Sequence, residues 1–247
     1  LNTPKLPPLP MPLDNLSATY ADGCLYVAGG KGKPQTVPIG QDGSQTAPTN
    51  PLFSLQLTPS LQKEWVRLPD FPGPARIQPV LTAQQSEDGI RLYLAGGFQP
   101  ASAHQEAIVC TDMLSYHPKT KQWRNEGFLP SLAGGSHRTV TGGCAIASGD
   151  SSILLVGGVN YDRFRDALNH PEPDYLLHPV DWYKFNTSLL QYNTFTKHWT
   201  HLGNYEELAR AGAGIANNAN TVIIIGGELK PGIRTPEVNA FKLTCHP

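Results

Sequence analysis

An apolar run that ends in Gly-Gly occurs four times along the chain, and this repetition limits the folds open to it. The runs read LYVAGG, RLYLAGG, ILLVGG and TVIIIGG, and they end at Gly30, Gly97, Gly158 and Gly227. They are separated by 67, 61 and 69 residues. Self-similarity at a nearly constant period indicates stacked structural repeats, each of which buries its apolar face against its neighbours.

A second element lies between the Gly-Gly pairs: an aromatic residue followed seven residues later by Trp. It reads YHPKTKQW from Tyr116 to Trp123 and YNTFTKHW from Tyr192 to Trp199, and a looser version, FSLQLTPSLQKEW, ends at Trp65. Each repeat therefore predicts two strands, Gly-Gly, a strand with the aromatic residue, a hairpin turn and a strand with Trp. Four antiparallel strands in this order form the kelch blade of a β-propeller. We predict an all-β, kelch-type propeller with about four blades, forming one domain over residues 1–247.

Composition agrees with this fold and excludes several classes of function. The 247 residues include 24 Gly and 23 Pro, which fits many tight connections. A net charge of −1 and a pI of about 6.8 exclude the broad basic surface of a nucleic-acid-binding protein. No stretch reaches the roughly 18 to 20 consecutive apolar residues of a membrane span. The four cysteines show no CxxC pair, so we expect buried free thiols and no metal site.

One repeat carries an insertion, predicted at residues 159–190. The segment is too long for a hairpin and too aromatic for a disordered linker. Within it, DRFRDALNH and PVDWYKFNTSLL each predict a short helix. We interpret the insertion as a lid or pocket wall, with a functionally neutral decoration as the alternative.

Two sets of connections open onto one face of the predicted propeller, because alternate connections of an antiparallel meander fall on the same side. These are the segments after each Gly-Gly pair and the segments that lead from each Trp strand into the next repeat. Ligands commonly bind where such loops converge. The first set contributes Lys31, Phe98, Asn160, Asp162, Arg163, Glu228, Lys230 and Arg234. The second contributes Arg76 and Arg210, at similar places in their repeats. Each residue taken alone is more typical of a solvated loop than of a ligand contact.

The segment GGELKPGIRTPEV, residues 226–238, is the strongest site candidate. Glu228 follows directly on a strand end, and Pro231-Gly232 predicts a turn that brings Arg234 back toward it. A loop-stabilising ion pair is the alternative interpretation. Exposed ion pairs contribute only about 0 to 1 kcal/mol, so stability alone is a weak reason for this arrangement.

These residues resemble a known family. GGELKPGIRT is similar to the motif of the N-acetylneuraminate epimerases, six-bladed kelch propellers that interconvert sialic acid anomers. FPGPARIQPV and YHPKTKQW resemble the second repeat of that family, and LVGGVNYDRF with FNTSLLQYNTFTKHW resembles the third. The order of repeats resembles the carboxy-terminal part of a cyclically permuted branch. Cys144 stands where the family pattern has His.

The resemblance implies a mutarotase that acts on sialic acid by acid-base ring opening and closure. It implies Glu228 and Arg234 as the catalytic pair. From their place on the same face, we expect Arg76, Asn160 and Arg210 to be substrate contacts. The resemblance also implies a sugar-acid substrate, about two further blades from missing polypeptide and a periplasmic or secreted location. Ring opening and closure by proton transfer needs no metal or organic cofactor. Carboxylates suit proton relay, and Arg offers a planar fork of donors for a substrate carboxylate.

Two other functions fit a kelch propeller. The main alternative is a non-catalytic propeller that binds a protein or carbohydrate partner through the same face. A kelch-class copper oxidase needs converging His and Tyr ligands, whereas the eight His residues lie mostly in connecting segments without repeat-equivalent positions.

Overall fold

Four antiparallel sheets follow one another along the chain in the computed structural model. The first three sheets have four strands each, and the fourth has three strands among the residues that are described. Each sheet is one blade, so the predicted propeller of about four blades is confirmed. The structure describes residues 5–32, 50–58, 60, 62, 64–132, 134–218 and 220–243.

The strands of blades 1 and 2 are as follows. Blade 1 contains β1 (Leu13–Asp14), β2 (Ser17–Ala21), β3 (Cys24–Ala28), β4 (Lys31–Gly32), β5 (Leu52–Gln56) and β6 (Val66–Leu68). Blade 2 contains β7 (Val80–Ser86), β8 (Gly89–Ala95), β9 (Phe98–Gln99), β10 (Ile108–Val109), β11 (Asp112–His117) and β12 (Gln122–Phe128). In each blade the longer strands pair in chain order, and the two short strands pair with each other outside the sheet.

Blades 3 and 4 follow the same plan, with α1 in place of the short strands of blade 3. Blade 3 contains β13 (Cys144–Ser148), β14 (Ser152–Val156), α1 (Tyr161–Asn169), β15 (Ser188–Asn193) and β16 (His198–Asn204). Blade 4 contains β17 (Gly214–Asn218), β18 (Thr221–Ile225), β19 (Glu228–Lys230), β20 (Ile233–Arg234) and β21 (Val238–Lys242), where β19 pairs with β20 outside the sheet. Short 3₁₀ helices span Tyr175–Leu177, Val180–Tyr183 and Glu206–Leu208. None of the helices in the described ranges has the length and hydropathy needed to cross a bilayer.

The repeated aromatic residues are cross-strand partners. Tyr116 lies opposite Trp123 with ring centroids 5.1 Å apart, and Tyr192 lies opposite Trp199 at 4.8 Å. Directly opposite aromatic residues are a main source of stabilisation in antiparallel pairs. The spacing of seven residues is therefore the length needed to turn the hairpin and place the two rings side by side.

The hydrophobic core lies between the blades, in three successive clusters. The first joins blade 1 to blade 2 and includes Leu52 and Leu92, both fully buried. The second joins blades 2 and 3, and the third joins blades 3 and 4. Each blade thus buries its apolar side chains only by packing against the next one.

A chain of backbone hydrogen bonds links the first strands of successive blades. The amide of Gln78 donates to the carbonyl of Asn15 at 2.8 Å, Gly142 donates to Gln78 at 3.0 Å, and Gly212 donates to Gly142 at 2.7 Å. All four residues have positive φ, between 53° and 69°. At Gln78 and Gly142 the left-handed backbone turns the amide toward the previous blade and the carbonyl toward the next. We refer to these four residues as the linking ring.

The Gly-Gly pairs are required because the next blade approaches them closely. A Cβ atom on Gly29 would lie 2.5 Å from the carbonyl oxygen of Arg76, and one on Gly157 would lie 2.6 Å from that of Arg210. Only glycine leaves room for such an approach. The repeated Gly-Gly therefore marks the place where consecutive blades meet.

The insertion departs in part from its prediction. DRFRDALNH forms α1, as predicted, but the second predicted helix is wrong beyond Tyr183. Lys184 adopts left-handed φ and ψ angles, which ends the 3₁₀ turn, and the side-chain amide of Asn186 donates to the carbonyls of Thr139, Gly157 and Val159. These bonds return the chain to the sheet, so β15 begins at Ser188.

The predicted free thiols are present at three of the four cysteines. Cys24, Cys110 and Cys144 form no disulfide. Burial raises the pKa of the Cys110 and Cys144 thiols to about 11, which keeps them protonated and unreactive. The fourth, Cys245, lies outside the described residues.

The buried ion pair between Arg76 and Asp112 supplies a test of this fold. Asp112→Ala leaves the guanidinium of Arg76 buried without its carboxylate and should lower the free energy of unfolding by about 3 kcal/mol. Asp70→Ala removes the carboxylate of an exposed pair with Arg67 and should cost about 0 to 1 kcal/mol. Urea denaturation followed by tryptophan fluorescence measures both, and equal losses in the two variants would contradict the assignment.

Candidate active site

Glu228 and Arg234 lie opposite each other in the β19–β20 hairpin. Pro231 and Gly232 form the turn between the strands, and Gly232 has a φ of 79°, in the region that favours glycine. The Nη2 atom of Arg234 is 2.8 Å from Oε1 of Glu228. The turn thus brings the two side chains into direct contact.

The backbone of Glu228 is fixed beside the linking ring. Its amide donates to the carbonyl of Ala211 at 2.7 Å, and the amide of Ala211 donates back to the carbonyl of Glu228 at 2.9 Å. Ala211 immediately precedes Gly212 of the linking ring. The carboxylate therefore projects from the face on which the post-Gly-Gly segments converge, close to where the blades meet.

The exposure of the pair argues against a structural role. The Arg234 side chain is 75% exposed and that of Glu228 is 29% exposed. An ion pair this open to water contributes about 0 to 1 kcal/mol to stability. The arrangement instead leaves the guanidinium free to meet a ligand while the carboxylate is held on a fixed backbone.

Arg76 and Arg210 occupy matching places, and both side chains are buried. Arg76 donates to the carbonyl of Gly96 and to both carboxylate oxygens of Asp112. Arg210 donates to the carbonyl of Gly226 at 3.1 Å and to Oδ1 of Asn239 at 2.9 Å. Each guanidinium thus ties the end of one strand to the start of the next.

The structure does not bring these two predicted substrate-contact residues to the surface beside Glu228. The Arg76 side chain has no exposed surface, and that of Arg210 is 2% exposed. Either guanidinium would have to leave its present partners to touch a ligand. Their contact with substrate stays a prediction, and the observed bonds position the strands beneath the site.

Asn160, the third predicted substrate contact, caps the helix of the insertion. Its Oδ1 accepts a hydrogen bond from the amide of Arg163 at 3.0 Å, as Asn commonly does at the first position of a helix. The same residue lines a cavity of about 720 Å³ between blades 2 and 3. Its predicted contact with substrate is not tested by this geometry.

The insertion is joined to the site hairpin through Lys230. The ammonium group donates to the carbonyl of His178 at 2.6 Å and to that of Leu176 at 3.1 Å. It also lies 5.8 Å from the centre of the Tyr183 ring. Lys230 belongs to the predicted set of residues that follow the Gly-Gly pairs. Its hydrogen-bond partners are backbone carbonyls more than fifty residues away, and no pattern in the sequence indicates them.

Trp182 organises the same part of the insertion. The His178 ring stacks on it with centroids 3.9 Å apart, and the guanidinium of Arg163 lies 4.4 Å from the centre of the indole. The guanidinium adds cation–π attraction to the ring stacking of the imidazole on the indole. Together these contacts fix the 3₁₀ turns of the insertion beside α1.

Cys144, a position at which the resemblance predicts His, takes a packing role. Its Sγ atom donates to the carbonyl of Ala213 at 2.9 Å, and the residue lies in the cluster between blades 3 and 4. Ala213 leads into β17, one residue after the linking ring. The thiol therefore supports the strand that follows the linking ring.

Comparison with known proteins identifies relatives of one kind. A protein named N-acetylneuraminate epimerase from Haemophilus influenzae (strain PittEE) is 30% identical over 243 residues, which are 92% of this chain and 60% of that protein. Another of the same name from Pasteurella multocida (strain Pm70) is 27% identical over 215 residues, 81% of this chain and 52% of that protein. The chain therefore spans little more than half the length of these relatives.

A solved structure and a family model agree with these relatives. The structure titled "Structure of YjhT" superposes with a TM-score of 0.71 at 22% identity, covering 98% of this chain and 69% of that one, which supports the fold. The family model for N-acetylneuraminate epimerase matches residues 7–246. The family inferred from GGELKPGIRT is thus confirmed, whereas the cyclic permutation stays a prediction. This chain belongs to the N-acetylneuraminate epimerase family.

Proposed function

We propose that this chain carries the catalytic face of a mutarotase that interconverts the α and β anomers of N-acetylneuraminic acid. The observation that supports the proposal most directly is the pairing of Glu228 with Arg234 at 2.8 Å, on a fixed hairpin beside the linking ring. Membership of the epimerase family supports the same reaction and substrate.

Glu228 acts as the general base in this proposal. Opening the pyranose ring breaks the bond between the anomeric carbon and the ring oxygen, and one proton moves from the anomeric hydroxyl to that oxygen. A carboxylate within hydrogen-bond reach can take the proton and return it. Reclosure on the other face of the carbonyl reverses the transfer, so the reaction consumes no proton and needs no cofactor.

Arg234 binds the substrate carboxylate, which sialic acid carries on its anomeric carbon. A guanidinium binds a carboxylate through two parallel hydrogen bonds, which fixes the orientation of the sugar as well as its position. Because Arg234 is mostly exposed, it can exchange Glu228 for the substrate at little cost. That exchange releases the Glu228 carboxylate to act as a base.

Replacing Glu228 tests the proposal. Glu228→Gln keeps the size and polarity of the side chain but removes the base, so we expect enzyme-catalysed anomer exchange to slow by about 10² to 10⁴-fold. Exchange is followed by NMR on freshly released α-anomer, with Glu207→Gln, an exposed glutamate outside the site, as the matched control. Wild-type exchange in a folded Glu228→Gln protein would show that Glu228 is not the base.

We also infer that the insertion serves as one wall of the substrate site. The link from Lys230 to the carbonyls of Leu176 and His178 supports this role, since Lys230 is only two residues from Glu228. A charged donor that joins the insertion to the site hairpin favours this role over that of a functionally neutral decoration.

Lys230→Met provides the test of that link. Hydrogen bonds from charged donors contribute about 1.5 to 3 kcal/mol, so their loss should speed amide hydrogen exchange in residues 175–183 about tenfold or more. Lys119→Met, on an exposed hairpin of blade 2, is the control. Unchanged protection of residues 175–183 would mean that the insertion holds its place without Lys230.

Two further blades complete the propeller in this proposal. Among the described residues, a Cβ atom on Gly226 would meet only Thr235, at 3.4 Å, whereas the matching glycines of blades 1 to 3 each lie against a following blade. Ile225 and Val238 on blade 4 are 47% and 61% exposed. This chain covers 69% of the YjhT chain, which is close to the share that four blades make up of a six-bladed propeller.

The periplasmic or secreted location stays a prediction, which cell fractionation can test.

Cysteine labelling of the full-length protein tests for the added blades. Val238→Cys should react slowly with a maleimide, because a fifth blade would cover that side of blade 4. Phe128→Cys, at a position that is 73% exposed on the outer strand of blade 2, should react rapidly. Equal reaction rates at the two positions would show that blade 4 is not covered.

A further inference from the structure

A cavity lies between the connection after β12 and the outer strands of blade 3, apart from the Glu228 hairpin. Its volume is about 720 Å³, within the usual range for small-molecule sites. It is lined by Pro130 and Arg138 from the connection after β12, by Lys184 in the insertion, and by side chains along β15 and β16. None of the lining residues belongs to blade 4, so the cavity is separate from the site hairpin.

Arg138 gives this cavity a buried positive charge. The residue is 7% exposed, and its Nε atom donates to the carbonyl of Pro130 at 2.9 Å. Its Nη1 atom has no hydrogen-bond partner, and no carboxylate pairs with it in the described part of the chain. Burial lowers the pKa of the guanidinium, but arginine remains charged. Arg76 and Arg210, the other deeply buried arginines discussed above, both bond to acidic or amide side chains.

The cavity occurs where the repeat pattern breaks. In blade 1 the indole of Trp65 donates to the carbonyl of Pro7, and in blade 2 that of Trp123 donates to the carbonyl of Pro69. The matching acceptor for Trp199 is the carbonyl of Pro130, but in blade 3 that carbonyl accepts a hydrogen bond from Nε of Arg138. Among the described residues Trp199 Nε1 then has no acceptor. Arg138 and Trp199 both line the cavity, and each has an N–H group without an acceptor among the described residues.

The remaining charges around the cavity are unequal. Lys184 and Arg138 are cationic, and Glu206 is the single carboxylate among the lining residues. Ser188 Oγ and His201 Nε2 both contact Oδ1 of Asn204, at 2.9 Å and 3.1 Å, which occupies the acceptor side of that amide. A positively charged, donor-rich and partly aromatic cavity matches an anionic ligand.

We propose that this cavity is a second binding site, for a small hydroxylated carboxylate of the sugar-acid class. The carboxylate pairs with the guanidinium of Arg138, whose planar fork suits a carboxylate better than a single ammonium does. The indole N–H of Trp199 donates to the carboxylate or to a neighbouring hydroxyl, and Lys184 adds attraction at the rim. The proposal does not depend on Glu228 acting as a base.

Indole N–H resonances of the ¹⁵N-labelled full-length protein test the proposal, with Trp199 assigned by Trp199→Phe. We expect the Trp199 resonance to shift saturably on titration with N-acetylneuraminate and not with N-acetylmannosamine, a neutral sugar. Arg138→Gln should raise the Kd from this shift at least tenfold, while Arg67→Gln, at an exposed ion pair, should leave it unchanged. Because catalysis is not the readout, Glu228→Gln should also leave this Kd unchanged.

Unaltered Trp65 and Trp123 resonances report that a variant is folded. If Arg138→Gln does not fold, Lys184→Asn decides, because it removes the rim charge at a left-handed position that Asn tolerates and should raise the Kd severalfold. The proposal is overturned if the Trp199 resonance does not move, or if the neutral sugar moves it equally. An unchanged Kd in a folded Arg138→Gln or Lys184→Asn protein also overturns it.

Discussion

Each blade packs closely against the Gly-Gly pair of the blade before it. The positions of the other elements depend on this contact. It requires glycine at Gly29 and Gly157, because a Cβ atom there would overlap the carbonyl of Arg76 or Arg210. It also sets the position of the linking ring. Gln78 and Gly212 lie two residues after those arginines, and the amide of each donates to a carbonyl of the previous blade. Apolar packing between blades supplies most of the stability, but these backbone contacts set the position of every loop on the face.

The site follows from that placement. In blade 4 the residue after the Gly-Gly pair is Glu228, whereas the same position holds Phe98 in blade 2 and Val159 in blade 3. The surrounding backbone bonds are the same in kind, so the fold supplies a fixed position and the sequence supplies the chemistry. Pairing with Arg234 adds little stability at this exposure, which leaves recognition and proton transfer as the better explanation for both residues.

Features that repeat, or that depend on neighbours in the chain, could be predicted from the sequence. The Gly-Gly runs and the Tyr–Trp spacing predicted the blades, and Pro231-Gly232 predicted the turn that joins Glu228 to Arg234. Features that depend on distant partners could not be predicted. The buried bonds of Arg76 and Arg210 involve residues 16 to 36 positions away, and the same residue types read equally well as ligand contacts. The cavity at Arg138 could not be predicted either, because it depends on a Trp–carbonyl hydrogen bond that blades 1 and 2 share and that an arginine replaces in blade 3.

The central claim is that one carboxylate and one guanidinium on the β19–β20 hairpin handle the anomeric centre of a sugar acid. A crystal structure of the full-length protein with bound N-acetylneuraminate tests it most directly. We expect the sugar carboxylate on the guanidinium of Arg234 and the anomeric hydroxyl about 3 Å from a carboxylate oxygen of Glu228. A sugar bound elsewhere on the propeller, with Glu228 and Arg234 still paired and untouched, would contradict it.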